Sequence, residues 1–236
     1  MTKNIAHRGF SSIYPENTML SFEKALETGC DGIELDVHLS RDGQVVIIHD
    51  ETVNRTTNGK GYVKDMTFGE LRSLKIEKEQ RVPSLEEYFD FIEKTNIITN
   101  IELKNDIFRY DGMEEKVIAA IRKRNLSEKI IFSSFNHFSI LKCKTLAPEI
   151  SCGFLTYSWY INVGAYTKRN GIRYVHPLYT SLTDEAVKEI HSHDISINTY
   201  TVNDPGETRR LATLGIAGII TDDPKMLRAM LESIDK

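Results

Sequence analysis

Apolar residues recur along this chain in two alternating rhythms. Short runs rich in Ile, Val, Leu and Phe read as strands, and between them lie segments with apolar positions three and four apart that read as amphipathic helices. The strand-like runs are IAHRGF near the start, then DGIELDV, NIITNIELK, KIIFSSF, EISCGF, GIRYVH, DISINTYTV and AGIIT. The helix-like segments are SFEKALETG, PSLEEYFDFIEK, GMEEKVIAAIRKR, HFSILKCKTLA, WYINVGAYTKRN, TDEAVKEIHSH, DPGETRRLATLG and finally PKMLRAMLESIDK. A helix after every strand predicts parallel strands joined by crossovers. A (β/α)8 TIM barrel takes about 250 residues. The 236 residues here, without a composition break, fit one α/β domain of that kind over 1–236 better than a doubly wound open sheet.

One stretch interrupts the rhythm. Between VVIIHD and PSLEEY, over residues 51–83, the chain is far longer than a barrel loop requires and includes NRTTNGKGYV and MTFGELRSLK. It reads as an insertion after the second strand unit. In a barrel such an insertion lies on the catalytic face and could cover a site there, unless it is only a surface excursion. Helix starts are marked more locally: Asn17 or Thr18 suits the N-cap of the first helix, and Asp222 or Asp223 the cap of the last, with Pro224 in its first turn.

Candidate chemistry collects at the strand ends. In GIELDV, Glu34 and Asp36 are two residues apart, so both carboxylates share one face while Ile33, Leu35 and Val37 share the other. Inside a barrel such acids need partners: salt bridges, or a hard cation such as Mg²⁺ or Ca²⁺. NIELK repeats the arrangement with Glu102 and Lys104, where the lysine could be a counter-ion or could hold a phosphate oxygen. IAHRG and VVIIHD end in His7, Arg8 and His49, two imidazoles able to divide acid and base work. His38, His137, His176, His191 and His193 carry no such context.

The net charge of -4 offers no general basic face for nucleic acid, so cationic ligand-binding groups must be local. Cys30, Cys143 and Cys152 are odd in number and without C-x-x-C spacing, which suggests reduced thiols in a cytoplasmic protein. No leader-like segment precedes IAHRGF and no apolar run is long enough to insert stably into a bilayer, so the expected partner is a small molecule. The oligomeric state is open.

The block HRGFSSIYPENTMLSFEKALETGCDGIELDVHLSRDGQVVIIHDETVNRTTNGKG, followed by IELK, YTVND and GIITDDP, resembles the glycerophosphodiester phosphodiesterase family along essentially the whole chain. The resemblance implies a TIM barrel with a small insertion, and metal-dependent hydrolysis of glycerophosphodiesters to sn-glycerol 3-phosphate and an alcohol. It implies one divalent cation on Glu34, Asp36 and Glu102, acid and base roles for His7 and His49, and phosphate contacts from Arg8 and Lys104. Tyr200 stands where many members carry Trp, at a substrate contact. Two rival functions are a lysophospholipase D, whose insertion would shelter an acyl chain, and a barrel that binds phosphorylated ligands without turnover.

Overall fold

The computed structural model describes residues 1–234. The chain alternates as the apolar rhythm predicts: β1 (Lys3–His7), α1 (Met19–Glu27), β2 (Gly32–Leu39), β3 (Val45–Ile47), α2 (Phe68–Ser73), α3 (Leu85–Ile92), β4 (Ile98–Leu103) and α4 (Met113–Lys123). There follow β5 (Ile130–Ser134), α5 (His137–Leu146), β6 (Ser151–Thr156), α6 (Val163–Arg169), β7 (Tyr174–Pro177) and α7 (Asp184–Ser192). The chain then runs through β8 (Ser196–Thr199), α8 (Pro205–Thr213), β9 (Gly218–Thr221) and α9 (Pro224–Ile234). Eight strands pair in parallel, and pairing of β1 with both β9 and β2 closes them into a barrel. This is the α/β TIM barrel that the sequence predicts. The VVI of VVIIHD differs: β3 is not a barrel stave but runs antiparallel on β2, as a hairpin that returns His49 toward the rim.

Register explains how the acids meet. His7 pairs with Glu34, Glu34 with Asn100, and Asp36 with Glu102, so lumen-facing side chains from β1, β2 and β4 lie one strand spacing apart. The outward faces of these strands are apolar. Ile33, Leu35, Val37, Ile101 and Leu103 are buried with Phe22, Tyr88 and Phe89 of the helical layer in one cluster. Burial of this kind contributes about 25 cal/mol per Å² of apolar surface, and that attraction holds charged residues inside the rim against their desolvation cost. Below the acids the lumen stays polar. Asn100, Ser133, His176 and Asn198 are buried, and His176 fills the space beside Gly153, where an added Cβ would lie 2.5 Å from its Nε2.

Two local expectations are refined. WYINVGAYTKRN is not helical throughout: α6 starts at Val163, after Asn162 in a left-handed conformation (φ 56°). The Glu189 carboxylate accepts from the amides of Gly164 and Ala165, which anchors the helix start there and leaves Trp159, Tyr160 and Ile161 exposed ahead of it. Between β3 and α3 the chain forms a small unit with α2, whose Val53, Val63, Leu71, Ile76 and Val82 pack with Val46 and Ile48 in a separate apolar cluster.

Candidate active site

Glu34 and Asp36 lie within β2, and the other expected site residues, His7, Arg8, His49, Glu102, Lys104 and Tyr200, lie at the C-terminal end of a strand or just beyond one. Glu34, Asp36 and Glu102 offer carboxylate oxygens all within 4.8 Å of one another. Lys104 Nζ donates to Glu102 Oε1 at 2.8 Å and lies 3.4 Å from His49 Nε2. Arg8 donates its backbone N–H to Glu34 Oε2 at 3.0 Å, and its Nε lies 3.5 Å from Asp36 Oδ2. His7 Nε2 is 4.0 Å from Glu34 Oε2. Thus β1, β2, β4 and the β3 hairpin bring His7, Arg8, Glu34, Asp36, His49, Glu102 and Lys104 to one rim.

The backbone of the first loop is shaped for this. Arg8 itself has a positive φ of 54°, and Gly9 follows at 83°. A Cβ on Gly9 would sit 2.6 Å from the Ser21 carbonyl carbon, so β1 turns onto α1 only with glycine there. Asn17, also at positive φ, is not the helix cap. It donates to Asp36 Oδ2 at 2.8 Å, while Thr18 caps α1 through a capping box with Ser21.

The charges do not balance within this floor. Three buried carboxylates face two cations, Arg8 and Lys104. Burial, reinforced by Asp36 and Glu102, pushes the Glu34 carboxyl well above the usual range. Burial also raises Glu102 to about 7, although Lys104 opposes it. Burial acts on Asp36 in the same sense, yet Arg8, His49, Lys104 and the Asn17 amide hold it low. Asp36 Oδ1 is buried and has no hydrogen-bond partner. An oxygen-only donor set, a missing positive charge and an orphaned carboxylate oxygen together fit a divalent cation.

Both histidines are oriented by carboxylates. Asp222 Oδ1 lies 2.6 Å from His7 Nδ1, and Asp50 Oδ1 lies 2.7 Å from His49 Nδ1; an ionised carboxylate only accepts, so each Nδ1 carries the proton. His49 Nε2 is then left with its lone pair toward Lys104. Burial, more than its charged neighbours, lowers the pKa of His49. Asp222 is fixed in turn by Ser11 and Asn203, and despite burial its contact with His7 lowers it to about 2.

The doublet at 222–223 therefore divides its labour: Asp223 caps α9 by accepting from Met226 N–H at 2.9 Å, and Asp222 serves His7. In the sequence only the cap is legible, because a two-residue acid run before proline has that local meaning. His38 likewise has no site context in the sequence. That ring donates from Nε2 to the His49 carbonyl at 3.1 Å and accepts at Nδ1 from the Tyr110 hydroxyl at 2.9 Å, anchoring the hairpin that carries His49. No local signal distinguishes such a histidine.

Tyr200 stands apart from the charged floor. Its hydroxyl donates to the Thr156 carbonyl at 2.9 Å, and its ring lies 6.3 Å from that of Phe135, which in turn lies 6.0 Å from Lys104 Nζ. Among the described residues, no helix is long and apolar enough to cross a membrane.

Comparisons with known proteins point to one family. A family model described as the glycerophosphoryl diester phosphodiesterase family matches residues 7–226, which includes every residue of the rim. A glycerophosphodiester phosphodiesterase of Caldanaerobacter subterraneus subsp. tengcongensis is 42% identical over 230 residues, covering 94% of this chain and 95% of that protein. One from Bacillus altitudinis is 42% identical over 234 residues, covering 95% and 96%. A solved phosphodiesterase of Oleispira antarctica, in complex with the product sn-glycerol-3-phosphate, superposes with a TM-score of 0.86 at 29% identity, covering 97% of this chain and 96% of that one. Since the match in sequence runs the length of the barrel and takes in both histidines and all three acids, the chain belongs to the glycerophosphoryl diester phosphodiesterase family and is an enzyme of that class.

Proposed function

We propose that this enzyme hydrolyses glycerophosphodiesters such as glycerophosphocholine and glycerophosphoethanolamine to sn-glycerol 3-phosphate and an alcohol, with a divalent cation, Mg²⁺ or Ca²⁺, on Glu34, Asp36 and Glu102. The observation that carries the reading is the convergence of three acids, two cations and two carboxylate-oriented imidazoles on one rim. Charge supports it as well. With a divalent cation the floor carries one surplus positive charge, which the single negative charge of a phosphodiester offsets.

When bound, the cation neutralises non-bridging phosphoryl oxygens and stabilises the charge that develops there. The chain's own groups do the rest. Arg8 and Lys104 hold phosphate oxygens by charge-assisted hydrogen bonds. His7 and His49 move protons at Nε2, one taking a proton from the nucleophile, either water or the neighbouring glycerol hydroxyl whose cyclic product water then opens, and the other giving one to the departing alcohol. Asp222 and Asp50 keep each proton on Nδ1, so that Nε2 is the working atom. The Tyr200 ring lines the substrate beside Phe135. The segment 51–83 acts as an insertion within a single catalytic domain over 1–236.

Purified protein with Mg²⁺ or Ca²⁺ should release glycerol 3-phosphate from glycerophosphocholine, as read by a coupled dehydrogenase assay. No release with either metal would overturn the reading and leave a barrel that binds without turnover. Lys104→Ala should lower kcat/KM for both substrates by a similar factor, about 30- to 1,000-fold, because both share the phosphoglycerol half. A loss that differs strongly between them would place Lys104 against the leaving group instead. Asp222→Asn should cut kcat by about 10- to 100-fold with little change in KM, since it disturbs the His7 tautomer without touching substrate. Equal losses in kcat and in phosphate binding would count against that role.

Action on lysophospholipids is the second reading, and the structure moves its support. Leu71 and most other apolar residues of the insertion turn into their own cluster, which leaves Tyr62 as its exposed large apolar side chain. An apolar cavity of about 360 Å³ lies instead along His137, Thr156, Tyr160, Ile161, Val163 and Tyr166, next to the exposed Tyr157 and Trp159. Turnover of lysophosphatidylcholine exceeding that of glycerophosphocholine would favour this reading.

A further inference from the structure

Arg55, in the segment that follows His49, makes four hydrogen bonds to two carboxylates. Its Nε and Nη2 reach Asp50 Oδ2 and Oδ1 at 2.8 and 2.9 Å, and its Nη1 and Nη2 reach Glu16 Oε2 and Oε1 at 2.7 and 2.8 Å. Glu16 belongs to the β1–α1 loop, where it also accepts from Arg8 Nη1 at 2.8 Å. Asp50 is the residue that orients His49. Charges thus alternate without a break from Arg8 through Glu16 and Arg55 to Asp50, whose Oδ1 holds the His49 ring.

We infer that Arg55 is a positioning residue: it braces Asp50 against the first loop and so fixes the His49 ring. This rests on the proposed hydrolysis, in which His49 moves a proton. Geometry separates the role from simple stabilisation. Arg55 is 48% exposed, so trimming it opens no buried void, and Glu16 keeps Arg8 while Asp50 keeps the His49 Nδ1–H, so neither carboxylate is left without a partner. What it removes is direction. Asp50 Oδ1 is shared by His49 Nδ1 and Arg55 Nη2, and the planar fork holds the carboxylate edge-on to both. A lysine carries the charge but cannot hold two carboxylates bidentately at once.

The test combines kinetics on glycerophosphocholine with proton NMR of the His49 ring. Arg55→Ala should lower kcat by about 10- to 100-fold and change KM by less than about threefold, in keeping with a misplaced but intact catalytic group. Arg55→Ala combined with Asp50→Ala should be no worse than Asp50→Ala alone, because both act through one contact. Arg55→Lys should recover only part of the rate, and it also decides the matter if the alanine variant fails to fold. The downfield Nδ1–H resonance of His49, visible in the wild type, should broaden or vanish in the variant. A variant kcat within twofold of wild type, full activity in Arg55→Lys, additive losses with Asp50→Ala, or an unchanged Nδ1–H signal would each overturn the inference. An inactive wild type would overturn the hydrolysis reading instead, and the resonance would still test the brace.

Discussion

Replacing His7 or His49 with alanine should lower kcat by about 10²- to 10⁴-fold, the range of a general acid or base, while KM moves by only a few-fold. Neither ring is structural cement. Each sits part-exposed at the rim with Nδ1 turned to a carboxylate and Nε2 toward the charged floor, near Glu34 for His7 and Lys104 for His49. Replacing both should cost little more than replacing one, because either loss breaks the same proton circuit. The rate should be bell-shaped in pH. Burial holds His49 below its ordinary value of 6.5, so it enters neutral at pH 7 and its limb lies on the acid side of 6.5. The His49→Ala profile should lose that limb. A variant with near-normal turnover, or one that keeps both limbs, would return its histidine to a structural role.

Chelation, or Glu34→Gln, should abolish hydrolysis to below about one-thousandth of the initial rate, with activity restored to the chelated wild type by Mg²⁺ or Ca²⁺. Stability offers a second reading of the same site. Glu102 titrates near 7 rather than its ordinary 4.5, so the stability it contributes is fully present below 4.5 and is lost as pH rises through 7. Burial and its acidic neighbours raise Glu34 in the same direction. The metal-free protein is thereby strained at pH 8, where three buried carboxylates ionise against two cations. A cation relieves that strain but must displace protons at pH 5. The rise in Tm on adding metal should therefore be larger at pH 8 than at pH 5. For Glu34→Gln it should shrink at both. Full activity in excess chelator, or a metal-induced Tm rise that is the same at both pH values, would overturn the assignment.

The apolar rhythm specified the eight strand–helix units, because periods of two and of three to four are properties of local backbone geometry and need no tertiary information. The same periodicity put Glu34 with Asp36, and Glu102 with Lys104, on single faces. The motif order then located His7, Arg8 and His49. Only the closed barrel decided the rest. Pairing of Asp36 with Glu102, and of His7 with Glu34, joins strands that are distant in the chain, so the density of negative charge and the orphaned Asp36 oxygen exist only after closure. The carboxylate behind each histidine shows the contrast. Asp50 adjoins His49 in sequence, whereas Asp222 lies 215 residues from His7 and has a complete local explanation as a helix cap until β9 is laid beside β1. Arg55 and Glu16 meet for the same reason. Their contact spans 39 residues and depends on how the insertion folds back over the first loop, and no periodicity in the chain records a contact between two irregular segments.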